Sequence, residues 1–284
     1  MSSIAMAPPR IGHVALAVAD LDRSIRFYED VIGLSLLSRE NSLARLGAGD
    51  NDFLLLYGQP GARSVQPATG LYHFAILVPS RQDLARTLYH LLQVDGPISG
   101  FADHAVSEAI YLTDPDGHGI EIYRDRPREE WQYRGDELRM TTEPLDLHGV
   151  LGELAGVVPD SYQMAEGTFV GHMHLQVAEI AATERFYTGQ IGLDLVMRYG
   201  PRATFMSANG YHHHLGANTW AGEHLPPAPT DAARLMWYEI VQPDEATLQA
   251  IRHRLESANI KAKHEDGTII VTDPSGIQVR LTSA

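Results

Sequence analysis

The chain has 14 histidines and no cysteine among 284 residues. A side-chain metal site would therefore be built from nitrogen and oxygen donors. His172, His174 and Gln176 alternate with Met173, Leu175 and Val177, so in a strand the polar three share one face. By the same rule His73, Ala75 and Leu77 share a face opposite Tyr72, Phe74 and Ile76. Glu121 and Tyr123 share one opposite Ile120 and Ile122. A second concentration is the internal run Tyr211-His212-His213-His214. There His213 faces away from its neighbours, and at most two of the three can serve one pocket. Two histidines and one carboxylate are the smallest set that holds a non-haem Fe(II) with three open positions on one face. Such a site suits a reaction in which substrate and O2 bind side by side, and Mn(II) accepts the same donors. Other chemistries lack their residues. There is no glycine-rich phosphate loop, no His-Glu-x-x-His and no serine in a nucleophile elbow.

Taken singly, these residues have plain explanations. A lone strand histidine is usually a hydrogen-bonded core residue, and Asp114-Pro115-Asp116-Gly117 reads as a turn. Repetition changes that weighing. Gly12-His13 recurs 159 residues later as Gly171-His172, Phe27-Tyr28 as Phe186-Tyr187, and Ile32-Gly33-Leu34 as Ile191-Gly192-Leu193. Thr113-Asp114-Pro115 and Gly117 recur as Thr272-Asp273-Pro274 and Gly276. Residues 10–125 and 169–284 are therefore expected to be two copies of one fold. Residues 1–9 are expected to be a disordered tail. Residues 126–168 should form a linker along the surface, with one short helix near 145–154.

Each copy divides again. Residues 11–18 read as a strand, and Asp20 opens a helix with Leu21, Ile25 and Tyr28 at helical spacing. Gly33 suits its stop. Short strands follow, ending near 53–57. The second quarter repeats this, with a strand at 72–78, a helix at 81–92 and strands ending at 120–123. The third and fourth quarters begin at His172 and Trp237. The expected class is α+β, built from four βαβββ units. First-strand histidines occur in three units, at His13, His73 and His172, with Trp237 in the fourth. Glu121 has Gln278 as its expected partner in unit four. Units one and two could supply His13, His73 and Glu121. Units two and three could supply His73, His172 and Glu121.

Lys plus Arg is 22 against 36 Asp plus Glu, a formal charge of -14, which disfavours a nucleic-acid partner. No apolar run approaches the ~18 residues of a membrane span, and the first ten residues are too short for a signal peptide. A cytoplasmic protein is expected. At 44% hydrophobic residues it can bury a core.

Set in βαβββ units, Gly171-His172-Met173-His174-Leu175-Gln176-Val177, Phe186-Tyr187 and Ile191-Gly192-Leu193 resemble the vicinal oxygen chelate superfamily. Within it the chain is most similar to the type I extradiol dioxygenases of the short catechol 2,3-dioxygenase group. His104, Ile110-Tyr111, Asp114-Pro115, Gly117 and Glu121 resemble the family signature. His73-Phe74-Ala75-Ile76-Leu77 is similar to its second metal-histidine strand, and Asn209-Gly210-Tyr211-His212-His213 to its acid–base phrase. His104 departs from the signature by standing two positions closer to the tyrosine. Unit four also departs, because it lacks the ligands that the better-known two-domain members keep there.

The resemblance implies two open β-barrel-like domains, each made of paired units. It implies Fe(II) held by His73, Glu121 and His172, with His213 as the acid–base group, Tyr111 as a hydrogen-bonding group and His104 at the substrate oxygens. The family keeps the His-His phrase and the first ligand histidine in one unit. Unit three has both, whereas unit one has Phe53-Leu54-Leu55-Leu56 where the phrase should be. Units two and three are therefore expected to pair, leaving one with four. The implied reaction is cleavage of a catechol by O2 to a muconic semialdehyde-type product, in a homo-oligomer. Phe74, Leu77, Trp220 or Trp237 would form the ring pocket. The alternatives are a glyoxalase-like metal-dependent isomerase or lyase, which would draw a carboxylate from each of two paired units, and a non-catalytic small-molecule-binding protein of the same fold.

Overall fold

Strand Arg10–Val18 opens unit one. Asp20 then accepts from the Arg23 amide and caps the helix Leu21–Arg26. The helix widens into a π-helical turn over Phe27–Ile32 and stops at Gly33, whose φ of 85° suits glycine. Unit three repeats the device with strand Phe169–Gln176, helix Ile180–Phe186 and π-turn Tyr187–Ile191. Units two and four carry longer α-helices, Arg81–Gln93 and Glu245–Ser257, capped by Ser80 and Asp244. After each helix the chain returns through three strands, and the last lies parallel to the first. Val14 faces Leu54, Ala75 faces Glu121, Met173 faces Leu215, and Tyr238 faces Val279. A parallel neighbour needs a crossover, and the helix supplies it. In this computed structural model the described residues are 9–135, 137–156 and 161–284. Apart from Pro9, the tail expected at 1–9 lies outside them.

The units assemble into two open, eight-stranded mixed sheets, an α+β architecture. One sheet joins units four and one through the antiparallel pair Arg10–Val18 and Arg234–Gln242. The other joins units three and two through Phe169–Gln176 and Gly70–Leu77. One continuous apolar core, including Leu16, Tyr28, Leu54, Phe74, Ile122, Tyr187 and Leu281, packs the helices onto both sheets. No helix among the described residues is long and apolar enough to cross a membrane.

The stretch 126–168 does more than cross the surface. Its short helix is Leu147–Gly152, and Trp131, Leu138, Val150 and Met164 are buried. The surface-linker expectation is corrected to that extent. Its apolar residues are too widely spaced to read as an amphipathic element, but Val150 and Met164 join the main core, and Trp131 and Leu138 cluster with Val106.

Two tyrosines tie one sheet to the other. The Tyr28 hydroxyl donates to Asp114 at 3.1 Å, and the Tyr187 hydroxyl to Asp273 at 3.0 Å. The two acceptors are equivalent in the repeat but not in charge balance. Asp114 also accepts from the backbone amides of Asp116 and His118 and from His118 Nδ1. Burial opposes its ionisation, but the His118 ring and these bonds hold it below the usual carboxylate range. Asp273 accepts from the amides of Ser275 and Ile277. Ile277 replaces the histidine there, and burial pushes Asp273 up to about 6.

A raised carboxylate pKa means that the folded state binds more protons than the unfolded one between roughly pH 4 and 6, so stability falls as pH rises through that window. Asp114 works in the opposite sense, stabilising above its unfolded pKa and losing this as pH falls. Thermal melts at pH 5 and pH 8 should therefore separate the pair. At pH 8 Asp114→Asn should lower Tm by ~2–8 °C, while Asp273→Asn should leave it unchanged or higher. Equal losses in both variants would contradict this reading.

Candidate active site

The registers of three adjacent strands bring the site together. His172 is opposite Ala75, and Ala75 is opposite Glu121. Ala75 is fully buried, and its single methyl leaves the space into which the two longer side chains lean. One step along, His174 is opposite His73. Gly119 makes room for His73, because a Cβ there would stand 3.1 Å from the His73 Cβ and meet the Tyr72 carbonyl oxygen.

His73 Nε2 lies 3.0 Å and His172 Nε2 3.2 Å from Glu121 Oε2. The three donor atoms fall within 4.8 Å of one another, and all three residues are buried. Donors bound at right angles to a metal by ~2.1 Å bonds stand ~3 Å apart, so the set fits a divalent ion. The geometry between His73 and Glu121 is not that of a hydrogen bond, and His73 Nε2 is a buried nitrogen without a partner. Such a nitrogen is costly unless something else meets its lone pair. Burial opposes ionisation of Glu121, yet the two imidazoles draw its pKa well below the usual range. Burial pushes His172 down to about 4, against the pull of Glu121. An anionic carboxylate and a neutral imidazole are the forms that bind metal.

Two hydrogen-bonded chains flank these residues. His212 Nε2 lies 2.8 Å from Asp125 Oδ1, and its Nδ1 lies 2.7 Å from His213 Nδ1. The carboxylate can only accept, so the His212 proton sits on Nε2 and its Nδ1 accepts from His213. That leaves His213 Nε2 as the basic nitrogen. The His213 ring stands 4.1 Å from that of His172, centroid to centroid. Burial, with neighbouring imidazoles, pushes His213 well below the ordinary histidine range. In the second chain His104 Nδ1 lies 2.6 Å from the Thr141 carbonyl oxygen, and its Nε2 lies 2.7 Å from the Tyr111 hydroxyl. The carbonyl only accepts, so Nδ1 carries the proton and Tyr111 donates to Nε2. Burial and the nearby Glu121 raise Tyr111 well above its ordinary pKa, so it stays neutral.

A cavity of about 270 Å³ connects these groups. His73, Glu121, His213, Tyr111 and His104 line it, joined by His174, Phe205, Trp220, Met140 and Thr141. Of the four expected ring-pocket residues, Trp220 alone lies on the lining. Phe74 points into the core, Leu77 packs on Ala75 and Tyr123, and Trp237 belongs to the other sheet. His174 shares the polar face that strand alternation gives His172, and it does line the cavity, whereas the sequence singles out neither Asp125 nor the lining residues of the 126–168 segment. Nothing local marks Asp125 or Thr141, which arrive through tertiary packing.

The other sheet shows what happens when the same backbone is filled differently. The ladder pairs Glu239 with Arg280 as it pairs Ala75 with Glu121. Arg280, not Gln278, thus occupies the position of Glu121. It follows Asp273 by the same count as Glu121 follows Asp114. Glu239 replaces the small Ala75 and takes His13 Nδ1 at 2.7 Å. Arg280 stacks on Trp237 at 3.8 Å. A cation therefore stands where the other sheet has its carboxylate. Iron content after anaerobic Fe(II) loading and desalting should fall at least ~10-fold in His172→Ala and hold in His13→Ala. Loss of iron only in the His13 variant would reverse the assignment.

The profile of the Glyoxalase/Bleomycin resistance protein/Dioxygenase superfamily matches residues 10–122 and 169–281. Catechol-2,3-dioxygenase of Bacillus subtilis (strain 168) is 41% identical over 269 residues, which is 93% of each chain. A lactoylglutathione lyase of Arabidopsis thaliana is 32% identical, over 43% of this chain and 46% of that one. Among solved structures, one from Bacillus subtilis is similar with a TM-score of 0.67 at 15% identity, covering 98% of this chain and 86% of the other. Glyoxalase I from Zea mays is similar with a TM-score of 0.59 at 18% identity, covering 97% and 92%. At such identities the likeness is one of fold. Two matched repeats and kinship over nearly the whole length with a catechol-2,3-dioxygenase place the chain in a family: it belongs to the Glyoxalase/Bleomycin resistance protein/Dioxygenase superfamily.

Proposed function

We propose that the protein is an Fe(II)-dependent extradiol dioxygenase that opens the ring of a catechol. The carbon–carbon bond beside the two hydroxyls breaks, and both atoms of O2 enter a muconic semialdehyde-type product. The observation that carries this reading is the convergence of His73, Glu121 and His172 beside a cavity that His73 and Glu121 line together with His213 and Tyr111. The identity to a catechol-2,3-dioxygenase supports it.

His73, Glu121 and His172 would hold the metal. A bound iron(II) would template the two catechol oxygens and O2 and carry electrons between them. His213 is neutral, so its Nε2 can take a proton from a catechol hydroxyl and later return it. Asp125, through His212, holds the proton on His213 Nδ1 and keeps the other nitrogen basic. Tyr111 is neutral and already donates to His104, so its oxygen accepts from a hydroxyl of the substrate. Both His104 nitrogens are engaged, and its influence on the substrate runs through Tyr111. A glyoxalase-like reaction would call for a second carboxylate, but Glu121 is the sole carboxylate among the described residues lining the cavity.

Protein loaded anaerobically with Fe(II), then given catechol and air, should consume one O2 per catechol and turn yellow as the semialdehyde forms. A colourless diacid, or no oxygen uptake, would contradict the reading. A parallel Mn(II)-loaded sample should be less active than the Fe(II) sample. His213→Ala should retain iron and lose ~10²–10⁴-fold in kcat. An unchanged kcat would remove His213 from the mechanism.

A further inference from the structure

We infer that the site selects catechols whose ring carries an uncharged, apolar substituent and rejects carboxylated ones. The inference rests on the catechol reading above and extends it to the part of the substrate that does not react. Among the described residues lining the cavity there is no lysine and no arginine, and the one charged side chain is Glu121. A substituent carboxylate entering this space would shed its water and meet no lysine or arginine on the lining.

The lining offers an aromatic wall instead. It starts at the ligands, where the rings of His73 and His174 are 4.9 Å apart. From His174 it reaches Phe205 at 5.7 Å and Trp220 at 5.4 Å, and Trp220 stands 5.2 Å from Tyr72. His174 is held as a wall and not as a polar probe. Asn218 donates to its Nε2 at 3.1 Å, and its ring lies so close to Gly216 that a Cβ there would sit 3.0 Å away. Outward from the ligands the wall becomes open. Trp220, Tyr72 and Tyr199 are 41%, 45% and 55% exposed. Large aromatic side chains left in water at the mouth of a cavity are surface that a ligand can cover. An alkyl or aryl group on the catechol ring would cover it. A carboxylate would gain nothing there and would lose its hydration, and specificity is that difference.

The test compares 4-ethylcatechol with 3,4-dihydroxyphenylacetate and 3,4-dihydroxybenzoate. Binding to the Fe(II)-loaded protein is read by anaerobic calorimetry, and kcat/KM is read in air. The neutral compound should bind at least ~10-fold more tightly than either acid and should lead in kcat/KM by a similar factor. Met197, a half-buried residue on the lining, supplies a second arm. Met197→Arg should narrow or reverse the preference by giving the carboxylate a partner. Equal or tighter binding of the acids by the unaltered protein would overturn the inference, as would failure of all three compounds to bind. If 4-ethylcatechol binds preferentially but no ring opens, the inference stands and the dioxygenase reading falls.

Discussion

Everything at this site depends on one strand register. Phe169–Gln176 runs antiparallel to Gly70–Leu77 with His172 opposite Ala75, and the parallel neighbour brings Glu121 to the other side of the same alanine. A shift of one residue would turn His172 to the helix-covered face and put Met173 in its place. Register is held by the apolar alternation on that face, where Val170, Met173 and Leu175 are fully buried. The hydrophobic pattern that folds the sheet therefore also aims the three candidate ligands.

Duplication made the same frame twice, and the two frames have diverged in chemistry while keeping their backbone. In one sheet a methyl group separates a histidine from a carboxylate, and the space between them stays open. In the other, Glu239 fills that space and bonds His13, while Arg280 stacks on Trp237. The tyrosine–aspartate bonds between the sheets persist in both halves. The sheet without the candidate ligand set thus still braces the one that carries it, a role that requires only its fold.

Much of this was legible in the sequence because repetition made it so. The four units follow from the repeat, the helix starts at Asp20 and near Arg81 from helical spacing, and the faces of His73, Glu121 and His172 from period-two alternation. The pairing of units two and three was readable only through the family resemblance, since nothing local distinguishes His13 from His172. The counterpart of Glu121, expected at Gln278, is Arg280, at the same distance from the repeated turn. What stayed hidden was tertiary. Asp125 reaches His212, and Thr141 reaches His104, across segments with no pattern of their own. Phe205 lines the cavity too, but in the sequence it looks like any core residue.

The central claim is that one metal sits between the strands of units two and three. Crystals loaded anaerobically with Fe(II) and measured at the iron absorption edge test it most directly. The expected result is a single strong anomalous peak in contact with His73 Nε2, His172 Nε2 and Glu121. A peak beside His13 and Glu239, or none near Glu121 in crystals that contain iron, would contradict it.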